Sequence, residues 1–161
     1  MKKVLLSVLI LCNLALVSKA QIPSVEVQDI KGNKVETSLL VDAKTPCVIS
    51  FWAVTCRPCI HELDVLNECI EDWKEEMDFR IVTISTDDIR FNAKAKSLIA
   101  GHGWDLFEHY FDINGDFKRA MGVSFTPQVF VLDKEGKIVY SHSGENPGIE
   151  EEIYEVLKKL Q

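Results

Sequence analysis

Residues Phe51–Glu62 read FWAVTCRPCIHE, with two cysteines two residues apart beside a tryptophan and a proline. Upstream, Cys47–Ala53 (CVISFWA) is a compact apolar run, the mark of a strand buried on both faces. Downstream, Ile60, Leu63, Leu66, Ile70 and Trp73 recur at three- and four-residue spacing. That spacing predicts an amphipathic helix from Cys59 to near Glu75. The cysteine pair therefore falls where a buried strand ends and a helix takes its first turn. A helix N-terminus carries unpaired N–H groups and partial positive charge, and both favour an anion. Cys56 is expected there as an attacking thiolate. Cys59, one turn in and more covered, is placed to resolve a mixed disulfide. Pro58 costs the first turn no needed hydrogen bond.

Two other uses of such a pair suit this sequence less well. Zinc wants further ligands, and no second Cys-x-x-Cys or His-x-x-His completes four-fold coordination. His61 lies close in sequence but points elsewhere on the helix. A purely structural bridge over two residues closes little chain and stabilises little. A redox switch suits the spacing better, and no metal is expected.

The rest of the chain predicts an α/β domain. Val25–Gln28 and Lys34–Thr37 read as a β-hairpin around the turn pair Gly32-Asn33. Phe79–Thr86 (FRIVTIST) is a second buried strand. Asp87 and Asp88 suit the start of a helix over Ile89–Ala100 closed by Gly101. A short helix is expected over Gly115–Met121. Gln128–Asp133 and Lys137–Ser143 flank Lys134-Glu135-Gly136 as antiparallel strands. Pro147 opens a last helix with Ile149, Ile153, Val156, Leu157 and Leu160 on one face. The order is β–α–β–α–β–β–α after a hairpin, a central mixed β-sheet with helices on both faces. His102, His109 and His142 read as surface residues.

At 161 residues the chain has the size of one domain with a real core. Its formal charge of −7 argues against nucleic acid as a partner. Residues 1–20 stand apart: Lys2 and Lys3, an almost wholly apolar run from Val4 to Val17, then Ser18-Lys19-Ala20. This is the layout of a secretory signal peptide cut after Ala20, leaving a domain over 21–161. Fourteen residues containing Asn13 fall short of the ~20 that span a bilayer, so a membrane-anchored form is the lesser reading. A lipoprotein reading through Cys12 is weaker, because bulky Leu11 precedes it. Loss of Lys2, Lys3 and Lys19 would move the charge from −7 to −10. Four cysteines remain, Cys47, Cys56, Cys59 and Cys69, an even number suited to pairing in an oxidising compartment.

Three motifs, spread over roughly Val25–Leu160, resemble the thioredoxin superfamily, and within it the exported TlpA/ResA-like thiol–disulfide oxidoreductases. They are FWAVTCRPC, Glu62 three residues after Cys59, and GVSFTPQVFVLDKEGKIV with its Thr126-Pro127 pair. The resemblance implies a thioredoxin-like fold and exchange through Cys56 and Cys59 with no organic cofactor. It implies a cis Thr126-Pro127 bond across from the cysteines, Pro127 shaping the site wall and Thr126 offering main-chain groups to extended substrate. It suggests a reductase of exported protein disulfides, recharged by a membrane or periplasmic electron donor. A monomer is expected. An oxidase or isomerase on the same fold stays open. A copper-binding chaperone fits less well, since such relatives place three residues between the cysteines. A peroxidase lacks its Pro-x-x-x-Thr-x-x-Cys pattern here.

Departures from the family pattern sharpen the expectations. Ser50 stands where cytosolic thioredoxins have a buried aspartate, so the proton of Cys59 needs another acceptor. Glu62, one turn along the helix, is the candidate, with helix-dipole stabilisation as the alternative. Thr55 replaces a common tryptophan before the first cysteine, leaving the substrate footprint open. Arg57 puts a fixed positive charge between the cysteines. Trp52 reads as core or as active-site wall, in the second case a substrate contact with Thr126, Pro127 and Arg57. Cys47 and Cys69 recede from the site by ~18 Å of strand and ~15 Å of helix, making a structural disulfide between them possible.

Overall fold

The computed structural model describes residues 22–161; the predicted leader, residues 1–20, lies outside them. Seven strands form one sheet in the order β2-β1-β5-β4-β3-β6-β7. They are β1 (Glu26–Asp29), β2 (Lys34–Glu36), β3 (Cys47–Trp52), β4 (Arg80–Ser85), β5 (Glu108–Phe111), β6 (Gln128–Leu132) and β7 (Ile138–Ser143). The helices are α1 (Arg57–Glu76), α2 (Asn92–His102), α3 (Asp116–Ala120) and α4 (Ile149–Lys158). This is the thioredoxin-like mixed sheet with helices on both faces. Among the described residues no helix is long and apolar enough to cross a membrane.

β3 is the axis of the fold. All six of its residues are buried, with β4 parallel on one side and β6 antiparallel on the other. The pleat sends alternate side chains to opposite faces. Val48 and Trp52 join the cluster built on Leu63, Leu66, Ile70, Ile99 and Ile153, under α1, α2 and α4. Cys47, Ile49 and Phe51 join the cluster holding Leu40, Val82, Ile84 and Phe117 under α3. The N-terminal hairpin forms as expected, with Val27 opposite Val35. Its turn is clasped by Asp29, whose carboxylate accepts from Lys31 N and Asn33 N, both at 2.8 Å.

Three local expectations are corrected. The order expected from the sequence has no strand at β5. Its sequence EHYF carries no apolar alternation, and its strand form comes from β4 on one side and β1 on the other. Ile89–Phe91 is a 3₁₀ turn capped by the Asp88 carboxylate, and α2 starts only at Asn92. Gly101 lies within α2; Gly103 ends it, left-handed at φ +68° and donating its N–H to Ile99 O. Pro147 precedes the start of α4, whose N-cap is Gly148.

The histidines are not simple surface residues. His102 Nδ1 lies 2.8 Å from Asp64 Oδ1, which also accepts Trp104 Nε1–H at 2.9 Å. His109 is held between Thr83 Oγ1 at 2.7 Å and Trp104 O at 2.8 Å, and burial lowers its pKa. His142 is half-buried.

The two glycines near the end of α2 give a paired expectation. Gly101 is helical and exposed with open space at its Cβ position, so Gly101→Ala should stabilise by ~0.5–1 kcal/mol. Gly103 also has open space, but its positive φ opposes any side chain. Gly103→Ala should destabilise by about 1 kcal/mol. Urea denaturation of the two variants checks both signs.

Candidate active site

Strand directions bring five loops to one edge of the sheet. β3, β4 and β5 run parallel, and their C-terminal ends lead into residues 53–56, 86–91 and 112–115. β6 is antiparallel to β3, so the segment entering it, 123–127, arrives at the same edge. β7 leaves there through Gly144–Gly148.

The cysteine loop is anchored before it reaches the sulfurs. Thr86 N–H and Oγ1–H both donate to Trp52 O, at 2.9 and 3.1 Å. Val54 N–H donates at 2.9 Å to Asp87 Oδ2, which also accepts from Ser85 Oγ at 2.9 Å. Asp87 thus serves the loop, whereas the sequence suggested a helix start. Cys56 N–H donates to Ala53 O at 3.0 Å and closes the turn.

Cys56 is the N-cap of α1, with extended backbone and a sulfur that accepts Cys59 N–H at 3.3 Å. The leading sulfur therefore sits against an otherwise unpaired first-turn amide, at the positive end of a 20-residue helix. A disulfide joins Cys56 to Cys59. Cys56 is half-buried and Cys59 has no exposed surface. The sulfurs thus differ in access, one reachable from outside and one only through its partner.

Glu62 is buried, 6% exposed, and Ser50 Oγ donates to its Oε1 at 3.0 Å. Burial raises its pKa to about 7, and the serine hydrogen bond opposes the rise only in part. Ser50, which stands where the cytosolic pattern has a buried aspartate, thus holds the glutamate one turn past Cys59. A cavity of about 210 Å³ beside them is lined by Pro58, His61, Glu62 and Val65 and by Glu145–Glu150.

The Thr126-Pro127 bond is cis. Because Phe51 pairs with Gln128, Pro127 arrives beside the end of β3, where the cysteine loop begins. Pro127 O accepts Gly144 N–H at 2.8 Å, while no backbone hydrogen bond engages Thr126 among the described residues. Arg57 is exposed at the first position of α1. No group of three or more His, Cys, Asp or Glu among the described residues is arranged to hold a metal ion.

Two site expectations fail. Trp52 has no exposed surface and meets Trp104 edge-on, ring centres 5.5 Å apart, so it is core and cannot touch a substrate. The pleat turned it under α1 and α2. The Cys47–Cys69 bridge is absent and both thiols are free. Cys47 points to the α3 face and Cys69 sits on α1, across the sheet, a separation that equal depth along strand and helix does not reveal. Both thiols are also suppressed, Cys47 pushed up to about 12 by burial. Cys69 is raised by burial and then by Glu150, Glu68 and Asp72.

A family model described as Redoxin matches residues 18–157. The chain is 31% identical over 140 residues to thiol-disulfide oxidoreductase ResA of Bacillus thuringiensis subsp. konkukian, covering 86% of this chain and 75% of the relative. It is 28% identical over 151 residues to thiol:disulfide interchange protein DsbE of Yersinia pestis, covering 91% and 76%. Among solved structures, an uncharacterized thioredoxin-like protein from Porphyromonas gingivalis superposes with a TM-score of 0.78. It is 42% identical, covering 88% of this chain and 92% of that one. A putative DsbE from Chlorobium tepidum gives 0.74 at 25% identity, covering 88% and 96%.

The raised pKa of Glu62 makes stability depend on pH. The folded state holds this proton more tightly than the unfolded chain, whose carboxyl titrates near 4.5. Stability from this group is therefore full below pH 4.5 and declines as pH rises to about 7. The loss is on the order of 3 kcal/mol. Glu62→Gln should flatten that decline and be more stable than the parent at pH 8, by urea midpoints at pH 5 and 8 on the oxidised proteins. Equal pH dependence in the two would refute a buried, proton-holding Glu62.

Proposed function

The chain belongs to the Redoxin family and is a thiol–disulfide oxidoreductase, and from that premise we propose that it reduces disulfides of exported proteins. The supporting observation is the asymmetry of the pair, a half-buried Cys56 sulfur at the amino end of α1 and a covered Cys59 behind it. In the reduced protein, the Cys56 thiolate attacks one sulfur of a substrate disulfide and the other leaves as a thiolate. Cys59 then gives its proton to Glu62, and its thiolate attacks Cys56 Sγ. The second substrate thiolate leaves as the Cys56–Cys59 bond forms, so the cysteine pair is oxidised by loss of the two electrons that the substrate sulfurs gain. A membrane or periplasmic dithiol donor restores the pair.

Glu62, with a pKa of about 7, is matched to accepting a proton near neutrality. Once ionised beside Cys59 it disfavours a second negative charge there, which favours the disulfide and a reducing potential. Arg57 acts in the opposite sense on Cys56, holding its thiolate and making the couple more oxidising than a neutral residue would. Thr126 presents free main-chain groups to an extended substrate, and Pro127 forms the wall beside it. The pattern of residues 1–20 supports export with removal of the leader after Ala20.

Insulin turbidity in dithiothreitol should accelerate with this protein present, and Cys59→Ser should trap a mixed disulfide through Cys56. Absence of both would remove the exchange reading. Direction is read from the midpoint potential: a value as oxidising as that of DsbA, about −120 mV, would overturn a reductase. Glu62→Gln should alter the pH profile of Cys59 alkylation, and an unchanged profile would end the proton-acceptor role.

A further inference from the structure

β3 is buried from end to end, and Ser50 is its one hydroxyl-bearing residue. A buried hydroxyl is costly unless it finds a partner. Ser50 has no exposed surface, and it stands between Thr83 of β4 and Val129 of β6. Its hydroxyl hydrogen goes to Glu62 Oε1 at 3.0 Å, 12 residues away on α1. The donor therefore belongs to the most firmly held strand of the sheet, and the acceptor to a long, flexible side chain.

Glu62 is gripped unevenly. Oε1 takes the Ser50 hydrogen, while Oε2 has no hydrogen bond among the described residues. Room to turn lies alongside, since Glu62 lines the cavity of about 210 Å³ with His61, Glu145 and Glu150, and no lysine or arginine lines it. From the β7 side, Tyr140 gives its hydroxyl hydrogen to Glu152 at 2.6 Å rather than to Glu62. Along α1 the neighbouring titratable group is Cys59, one turn back. Ser50 is thus the single fixed point of this carboxylate.

We propose that Ser50 is the positioning residue for the proton step of exchange. By fixing Oε1, it keeps the carboxylate on the sheet side of α1 and within reach of Cys59, with Oε2 free to take the proton. Residues three apart on a helix are neighbours on its surface, so Cys59 lies within that reach. The proton passes from Cys59 Sγ to Glu62 Oε2; Ser50 keeps its own hydrogen and makes no covalent bond. A hydrogen bond to an ionised carboxylate is stronger than one to its neutral form, so the same contact favours the state that can accept. The proposal rests on Glu62 being the proton acceptor and adds the group that aims it.

The test follows both steps in stopped-flow reaction of the reduced protein with excess dithiobis(nitrobenzoate). One thionitrobenzoate leaves as Cys56 attacks, at a rate proportional to reagent. The second leaves as Cys59 resolves the mixed disulfide, at a rate independent of it. In the parent the second phase should quicken with pH through a midpoint near 7. Ser50→Val and Ser50→Thr have the same shape and differ in the hydroxyl. Ser50→Val should move the midpoint up by about one pH unit, the scale of one hydrogen bond to a charged group, and slow the second phase about fivefold at pH 7. Ser50→Ala carries the same expectation without added bulk, and Ser50→Thr should keep the parent midpoint. The first phase should be unchanged in all three. Equal midpoints in the threonine, valine and alanine variants overturn the inference. Glu62→Gln separates the two readings. A parent profile retained in Glu62→Gln overturns the proton acceptor and this proposal with it, whereas a profile lost there but unmoved by Ser50→Ala and Ser50→Val overturns the role of Ser50 alone.

Discussion

The seating of one sulfur on one helix end is the constraint from which the rest follows. Cys56 Sγ accepts the amide hydrogen of Cys59 because the chain turns from extended to helical at that residue. That turn needs a strand that cannot shift and a helix that cannot rotate. β3 is hydrogen-bonded on both sides and buried along its whole length. α1 is keyed in place by Leu63, Leu66, Ile70 and Trp73. Thr86 and Asp87 then hold the intervening loop by main-chain atoms of Trp52 and Val54. A fixed dipole acts strongly only over its first turn, so small displacements would matter.

Opposed electrostatic environments meet within the first two turns of this helix. At its start, free amides and the Arg57 charge favour a negative sulfur. In the second turn, Glu62 sits in an apolar surround with only Ser50 donating to it, and its charge is disfavoured up to about pH 7. Two thiols three residues apart are thereby given different work in the proposed cycle, one outward and one inward. The remaining thiols are kept apart from that chemistry, Cys47 by depth and Cys69 by burial and neighbouring carboxylates.

Much of this arrangement could be read from the chain itself. The apolar run ending in Trp52, the helical spacing after Cys59 and the interposed proline together state that a strand meets a helix at the cysteines. These signals are local, because hydrophobic period and turn chemistry are properties of neighbouring residues. The hairpin around Gly32, the antiparallel pair around Gly136 and the apolar face of α4 are legible for the same reason. Glu62 was legible as a candidate through its spacing from Cys59.

What crosses the sheet was not legible. The side of β3 to which each residue points follows from the pleat, but what waits there depends on which elements pack above and below. That is why Trp52 proved to be core and why Cys47 and Cys69 stand on opposite sides of the sheet despite equal depth. The strand form of Glu108–Phe111 comes from its neighbours rather than its own composition. Likewise Asp87 reaching Val54, and Ser50 reaching Glu62, join residues 33 and 12 positions apart. Sequence alone determined where the thiols sit along the chain and which local conformation holds them. Only the tertiary structure decided their surroundings, because burial, hydrogen-bond partners and shared faces are set by residues distant in sequence and close in space.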